Sequence, residues 1–150
     1  MLYCFVEYNR AYLKKTFTLS RQERLKSRKR IEQLFKEGKS ISVFPYRALY
    51  LRVGGAEVQL PSPLQAGVTV SSKNFKKAVH RNKIKRLTRE AYRLQKPALQ
   101  QKLMEAGQQL ILFLIYTGKE MPDFLLAKEK VQVILDKLIQ RIDENPSSHT

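Results

Sequence analysis

Apolar residues recur along this chain in two alternating rhythms, one helical and one extended. Ile31, Leu34 and Phe35 stand at i, i+3 and i+4, the spacing that shares one face of an α-helix. Ser27 is placed to cap the start of that helix, and Gly38 to end it as a left-handed C′ residue. Upstream, Ser20 and Glu23 have the spacing of a capping box around a single turn. Tyr46–Val53 alternates and is rich in β-formers, so it predicts a strand. Gly54-Gly55 then signals a turn into a partner strand over Ala56–Leu60, and Pro61 and Pro63 break the pattern. Gly67–Ser71 predicts a third short strand.

From Ala78 to Leu94 the period becomes helical again. Ile84, Leu87, Ala91 and Leu94 form an apolar stripe that must face a core, and Pro97 suits the helix end. Leu110–Tyr116 (LILFLIY) is apolar on both faces, as expected of a central strand covered on both sides. Val131, Ile134, Leu135, Leu138 and Ile142 mark a last amphipathic helix beginning near Asp123, with Pro146 beyond its end. The predicted order is α-β-β-β-α-β-α, a single-domain α/β (α+β) sandwich with helices packed on a central sheet. Residues 1–16 receive no element and form an N-terminal extension; 145–150 form a polar tail.

Composition turns this scaffold towards a polyanion. The chain of 150 residues holds 29 Lys and Arg against 13 Asp and Glu, a formal net charge of +16, with 43% hydrophobic residues to build a core. The basicity is blocked: residues 10–39 carry 11 cations and 3 acids, and residues 73–102 carry 11 cations and 1 acid. Compact states repel themselves at such charge, so nucleic acid is the natural partner. With 1 Cys and 2 His, the chain has neither a disulfide framework nor a Cys/His zinc set. A Ser-His-Asp triad would need His80, whose cationic neighbours disfavour the imidazolium formed in catalysis. No secretory signal is visible and Leu110–Tyr116 is too short to span a bilayer, so a cytoplasmic protein without membrane contact is expected.

The most informative segment is Val79–Arg93 (VHRNKIKRLTREAYR). On a helix whose apolar stripe faces inward, Arg81, Lys85 and Arg89 form one row, and Asn82, Arg86, Arg89 and Arg93 another. Like charges at these spacings destabilise an isolated helix, and only Glu90 offsets them. A row kept at that cost is suited to phosphates, with Arg offering bidentate forks and Asn82 a hydrogen bond to sugar or base edges.

These residues resemble the protein subunit of bacterial ribonuclease P. The family's signature stands here as Arg81-Asn82-Lys83-Ile84-Lys85-Arg86-Leu87-Thr88-Arg89-Glu90, preceded by GVTVSSKNFKKAV and, nearer the N-terminus, by RLKSRKRIEQLFKEGKS. The resemblance runs from about Phe17 to the last helix, so 17–144 is expected to be the family domain. It implies a ribosomal-protein-like fold with a left-handed βαβ crossover. It also implies a ribonucleoprotein endoribonuclease that removes the 5′ leader of precursor tRNA. The catalytic RNA subunit would hold the Mg2+ and do the chemistry, so no catalytic or metal-binding residue is expected in the protein and no obligate protein partner is implied.

Carried over by position, Arg81, Asn82, Lys83, Lys85, Arg86 and Arg89 would face the RNA, with Lys73, Lys76 and Lys77 contacting phosphates from the preceding loop. Phe17, Phe35, Tyr46 and Tyr50 are candidates for stacking on the leader in a cleft between helix one and the sheet; core packing is the alternative for Phe35, Tyr46 and Tyr50. Two positions depart from the family. Lys83 stands in place of Arg and lacks the planar fork, and Ile31 stands where many members carry a ring. A non-catalytic RNA-binding protein such as a ribosomal protein is the main rival. A DNA binder is disfavoured because no helix-turn-helix pairing surrounds residues 81–94.

Overall fold

The structure is a computed structural model that describes residues 19–53 and 60–144. Three helices, α1 (Arg28–Glu37), α2 (Ala78–Ala106) and α3 (Phe124–Glu144), pack on a four-stranded sheet. Its strands are β1 (Lys39–Val43), β2 (Tyr46–Val53), β3 (Leu64–Val70) and β4 (Gln109–Tyr116). The sheet order is β1-β2-β4-β3. β2 runs antiparallel to β1 and β4, whereas β3 lies parallel to β4 and is joined to it through α2. This is the mixed α+β sandwich that the order of elements predicts, and β4 is central.

Alternation along the strands divides the sheet into two faces. Ala48, Leu64, Ala66, Leu110, Leu112 and Leu114 face α2 and α3, meeting Ile84, Ala91, Leu99 and Leu103 of α2 and Val131, Ile134, Leu135 and Leu138 of α3. On the other face Leu49, Ile111, Phe113 and Ile115 pack with Leu25 and with α1 residues Ile31 and Leu34.

Several local expectations are corrected. The partner of β2 is β1, an edge strand of sequence KSISV that follows α1 directly. The expected Gly54-Gly55 turn, and Ala56–Leu60 except its last residue, lie outside the described residues; Leu60 itself is not in a strand. The third strand is Leu64–Val70 rather than Gly67–Ser71. Gly38 is extended, at φ −69° and ψ 154°, because the chain passes at once into β1. Its lack of a side chain still matters, since a Cβ would stand 2.3 Å from the Leu34 carbonyl oxygen.

Pro97 does not end α2, which continues to Ala106. A proline inside a helix costs about 3 kcal/mol, but Leu99 and Leu103 beyond it are fully buried, and each contributes about 1.5–3 kcal/mol. The helix stops at Gly107, whose φ of +64° is the left-handed C′ conformation. Leu94 is exposed and Leu87 half-buried; the buried stripe instead runs Ile84, Thr88, Ala91, Tyr92, Lys96, Leu99, Leu103.

Thr88 and Lys96 of that stripe have partners. Thr88 Oγ1 is hydrogen-bonded to the Ile84 carbonyl at 2.9 Å and to the Tyr46 hydroxyl at 2.8 Å. The Lys96 ammonium, wholly buried, forms an ion pair with Glu23. Glu23 also accepts hydrogen bonds from Gln100 Nε2 at 2.6 Å and from the Ser20 backbone N–H at 2.8 Å. The residues read as a capping box thus fasten the N-terminal segment to the middle of α2. Leu25 N–H, bonded to the Ala66 carbonyl at 2.9 Å, fastens it to the edge strand β3.

Candidate nucleic-acid interface

Because the apolar stripe of α2 is turned inward, Asn82, Lys83, Arg86, Arg89 and Glu90 are exposed, and Lys85 is half-buried. Asn82, Lys85, Arg86, Arg89 and Arg93 line one concavity of about 460 Å³ with Leu19 and Arg24. Within it Arg93 is paired to Glu90, which holds the Glu90 carboxyl below its ordinary range. Among the described residues, Lys83, Lys85, Arg86 and Arg89 make no ion pair, so their charge is directed outward.

Arg81 has a different duty from its neighbours. Its Nη1 donates to the carbonyls of Phe75 and Lys76, both at 2.7 Å. This guanidinium closes the β3–α2 loop, on which Lys73, Lys76 and Lys77 are exposed. His80 is exposed on the first turn of the helix.

A second concavity, of about 470 Å³, lies between the N-terminal segment, α1 and the open face of the sheet. Ile31, Gly67, Thr69 and Phe113 line it along with Lys26 and Tyr92. The floor depends on Gly67: a Cβ there would stand 2.9 Å from the Phe113 ring. Phe35 rests its ring edge-to-face on Phe113, with centroids 5.7 Å apart, and remains 57% exposed. Ile31 stands in the cleft wall. Leu19, Arg24 and Arg89 border both concavities, so the cleft and the basic groove are continuous.

The aromatic candidates separate. Phe35 is on the cleft side, and Phe17 lies outside the described residues. Tyr46 and Tyr50 do not reach the cleft: both are buried on the opposite face of the sheet. The period of two in β2 decides this, since the even-numbered residues point to α2 and α3. The Tyr50 hydroxyl accepts a hydrogen bond from Arg141, whose guanidinium also lies over the ring at 5.4 Å. Arg24, Lys26, Gly67, Thr69 and Phe113 escaped the sequence reading. Phe113 was legible only as one letter of an apolar run, and the cationic pair sat in a segment with no assigned element.

Comparison with known proteins agrees with this architecture. The family model for Ribonuclease P matches residues 19–139. A ribonuclease P protein component of Porphyromonas gingivalis is 38% identical over 133 residues, which are 89% of this chain and 93% of that protein. Another from Dictyoglomus turgidum is 33% identical over 119 residues, covering 78% and 89%. Among solved structures, the RNase P protein of Thermotoga maritima superposes with a TM-score of 0.58 at 28% identity, over 77% of this chain and 96% of that one. The Staphylococcus aureus RNase P protein gives a TM-score of 0.58 at 20% identity, over 77% and 94%, and shares the fold.

Proposed function

The chain belongs to the ribonuclease P protein family, and from that premise we propose that it binds the catalytic RNA through α2 and holds the 5′ leader of precursor tRNA in the α1 cleft. The observation that carries this reading is the continuity of the two concavities through Leu19, Arg24 and Arg89. A single strand leaving the cleft meets Arg24 and Arg89 first, and then the row Asn82, Lys85 and Arg86.

Each surface suits a different part of an RNA. The row on α2 offers fixed cations and no aromatic ring for a base to stack on, which fits the phosphates of a folded RNA. The cleft combines an aromatic floor, Phe113 braced by Phe35, with Lys26, Arg24 and the Thr69 strand edge, which fits an unpaired chain. Arg81 acts through the loop, presenting Lys73, Lys76 and Lys77 to the same polyanion. Family membership implies that the RNA holds the Mg2+ that supports hydrolysis, and the cations of both surfaces suit phosphate rather than a free divalent cation. The protein's part is to orient the leader and to neutralise RNA charge.

Reconstitution tests this. The purified chain added to bacterial ribonuclease P RNA should restore accurate leader removal at a magnesium concentration where the RNA alone is slow. The chain without RNA should leave precursor tRNA intact. Failure to stimulate cleavage would move the chain to a purely RNA-binding role.

A further inference from the structure

Phe44 is 78% exposed, a full aromatic ring in water, whereas most of the other aromatic rings among the described residues are buried. It lies in the tight connection between β1 and β2, at the end of the sheet. There Phe44, Pro45, Lys119, Met121, Leu126 and Lys130 line a concavity of about 540 Å³. An exposed apolar patch of this kind, rimmed by polar groups, marks a contact surface.

The patch is built on a rigid platform. Thr117 donates to the Pro45 carbonyl twice, from its backbone N–H at 2.8 Å and from Oγ1 at 3.0 Å. Asn74 Nδ2 donates to the carbonyls of Thr117 at 3.1 Å and Gly118 at 3.4 Å. Gly118 permits the close approach, since a Cβ would stand 2.7 Å from the Tyr116 hydroxyl and 2.9 Å from Pro45 Cβ. Asn74 also belongs to the Lys73–Lys77 loop. The platform is therefore hydrogen-bonded to the loop that leads into the basic helix.

We infer that Phe44 stacks on an unpaired nucleotide of the ribonuclease P RNA, with Lys119 and Lys130 on the flanking phosphates. This rests on the reading of α2 as the face for that RNA. Charge decides for nucleic acid over an apolar protein partner: Lys119 and Lys130 share the concavity with Phe44, three further lysines stand on the adjoining loop, and Glu120 is the one carboxylate lining it. Position decides for the catalytic RNA over the leader. The patch takes Leu126 and Lys130 from α3 and is hydrogen-bonded through Asn74 to the loop that leads into α2, whereas the cleft opens on the α1 face of the sheet.

The chain has no tryptophan but 7 tyrosines, so Phe44→Trp, excited at the red edge where tyrosine does not absorb, gives a single indole emitter at the site. The full-length variant is titrated with ribonuclease P RNA and, separately, with precursor tRNA, while gel shift records binding in each mixture. The expected result is quenching by the ribonuclease P RNA that saturates with the gel shift, and no quenching by precursor tRNA. Phe44→Ala should weaken binding of the ribonuclease P RNA about fivefold to tenfold, Phe44→Tyr should restore it, and circular dichroism should be unchanged in all three.

Gel-shift binding with constant emission and an unaltered Phe44→Ala affinity would overturn the stacking proposal and leave the α2 reading intact. Quenching by precursor tRNA alone would overturn it too, as would self-association of the free protein that Phe44→Ala abolishes. If the unsubstituted chain fails to bind the ribonuclease P RNA, both readings fall.

Discussion

Two faces of one sheet are treated in opposite ways. The face towards α2 and α3 is sealed, with Leu112, Leu114, Ile84, Leu99 and Val131 all fully buried. The other carries α1, a helix of 10 residues whose only buried side chain is Leu34. Phe113 and Ile115 are left half-buried there and Phe35 mostly exposed. Folding free energy comes mainly from the first face, which leaves the second free to keep a cleft open beside a row of mutually repelling cations. A chain of this charge can hold a binding surface unsatisfied only because another surface carries its stability.

The largest effect is expected at the seam between the two. Lys96→Met removes the ammonium from beside Glu23 and leaves a buried carboxylate with only neutral donors, Gln100 Nε2 and the Ser20 N–H, and no countercharge. The loss should be about 3–5 kcal/mol in denaturant unfolding, and the double change to Lys96→Met with Glu23→Leu should recover much of it. The pair also sets an acid limit. Burial alone would raise the Glu23 pKa, but the hydrogen bonds from Lys96, Ser20 and Gln100 outweigh it and hold the group below its ordinary value of 4.5. Its contribution is therefore complete above about pH 4.5 and fades as pH falls through the lower folded value. Glu23→Gln should flatten that part of the stability–pH curve; an unchanged curve would show that other carboxylates set it.

Neighbouring residues of β4 offer the sharpest test of the comparison. Leu112→Ala, on the sealed face, should cost about 2–5 kcal/mol and leave RNA affinity per folded molecule unaltered. Phe113→Ala, one residue on and facing the cleft, should cost less stability yet weaken binding of precursor tRNA. Equal behaviour of the two in paired unfolding and binding measurements would dissolve the division of labour.

Phe35→Ala should lower stability by only about 1 kcal/mol, the scale of a lost edge-to-face contact. It should also reduce affinity for precursor tRNA more than for mature tRNA, as a competition assay would show. The same loss for both would place Phe35 away from the leader.

Smallest in stability are the changes on α2. Arg86→Ala and Arg89→Ala should leave the melting temperature within a degree or so of wild type and reduce the slope of log affinity against log salt by a little under one unit each, taking the duplex figure as a guide. Asn82→Ala should weaken binding without altering the slope, because no charge is lost. Arg81→Ala should behave differently from both, lowering the melting temperature because two carbonyls of the β3–α2 loop lose their donor. A potassium series with parallel thermal melts distinguishes the three classes.

Periodicity and charge by themselves determined the three helices, the central position of β4 and the outward row of cations on α2, because each is a repeating pattern within one segment. Ser20 and Glu23 were also legible as a local pair, though not what they would fasten. Tertiary contacts decided the rest. KSISV gives little local signal and becomes β1 only because β2 is there to pair with it. Pro97 stays helical because Leu99 and Leu103 are held against the sheet and α3. Tyr46 and Tyr50 leave the cleft because the register of β2 against β4 assigns each residue a face, and composition carries no record of which face is covered. The cleft itself joins Arg24 and Ile31 to Gly67, Phe113 and Arg89, positions far apart along the chain. Such a site exists only once non-local pairing has set the strands in order, so no local pattern could display it.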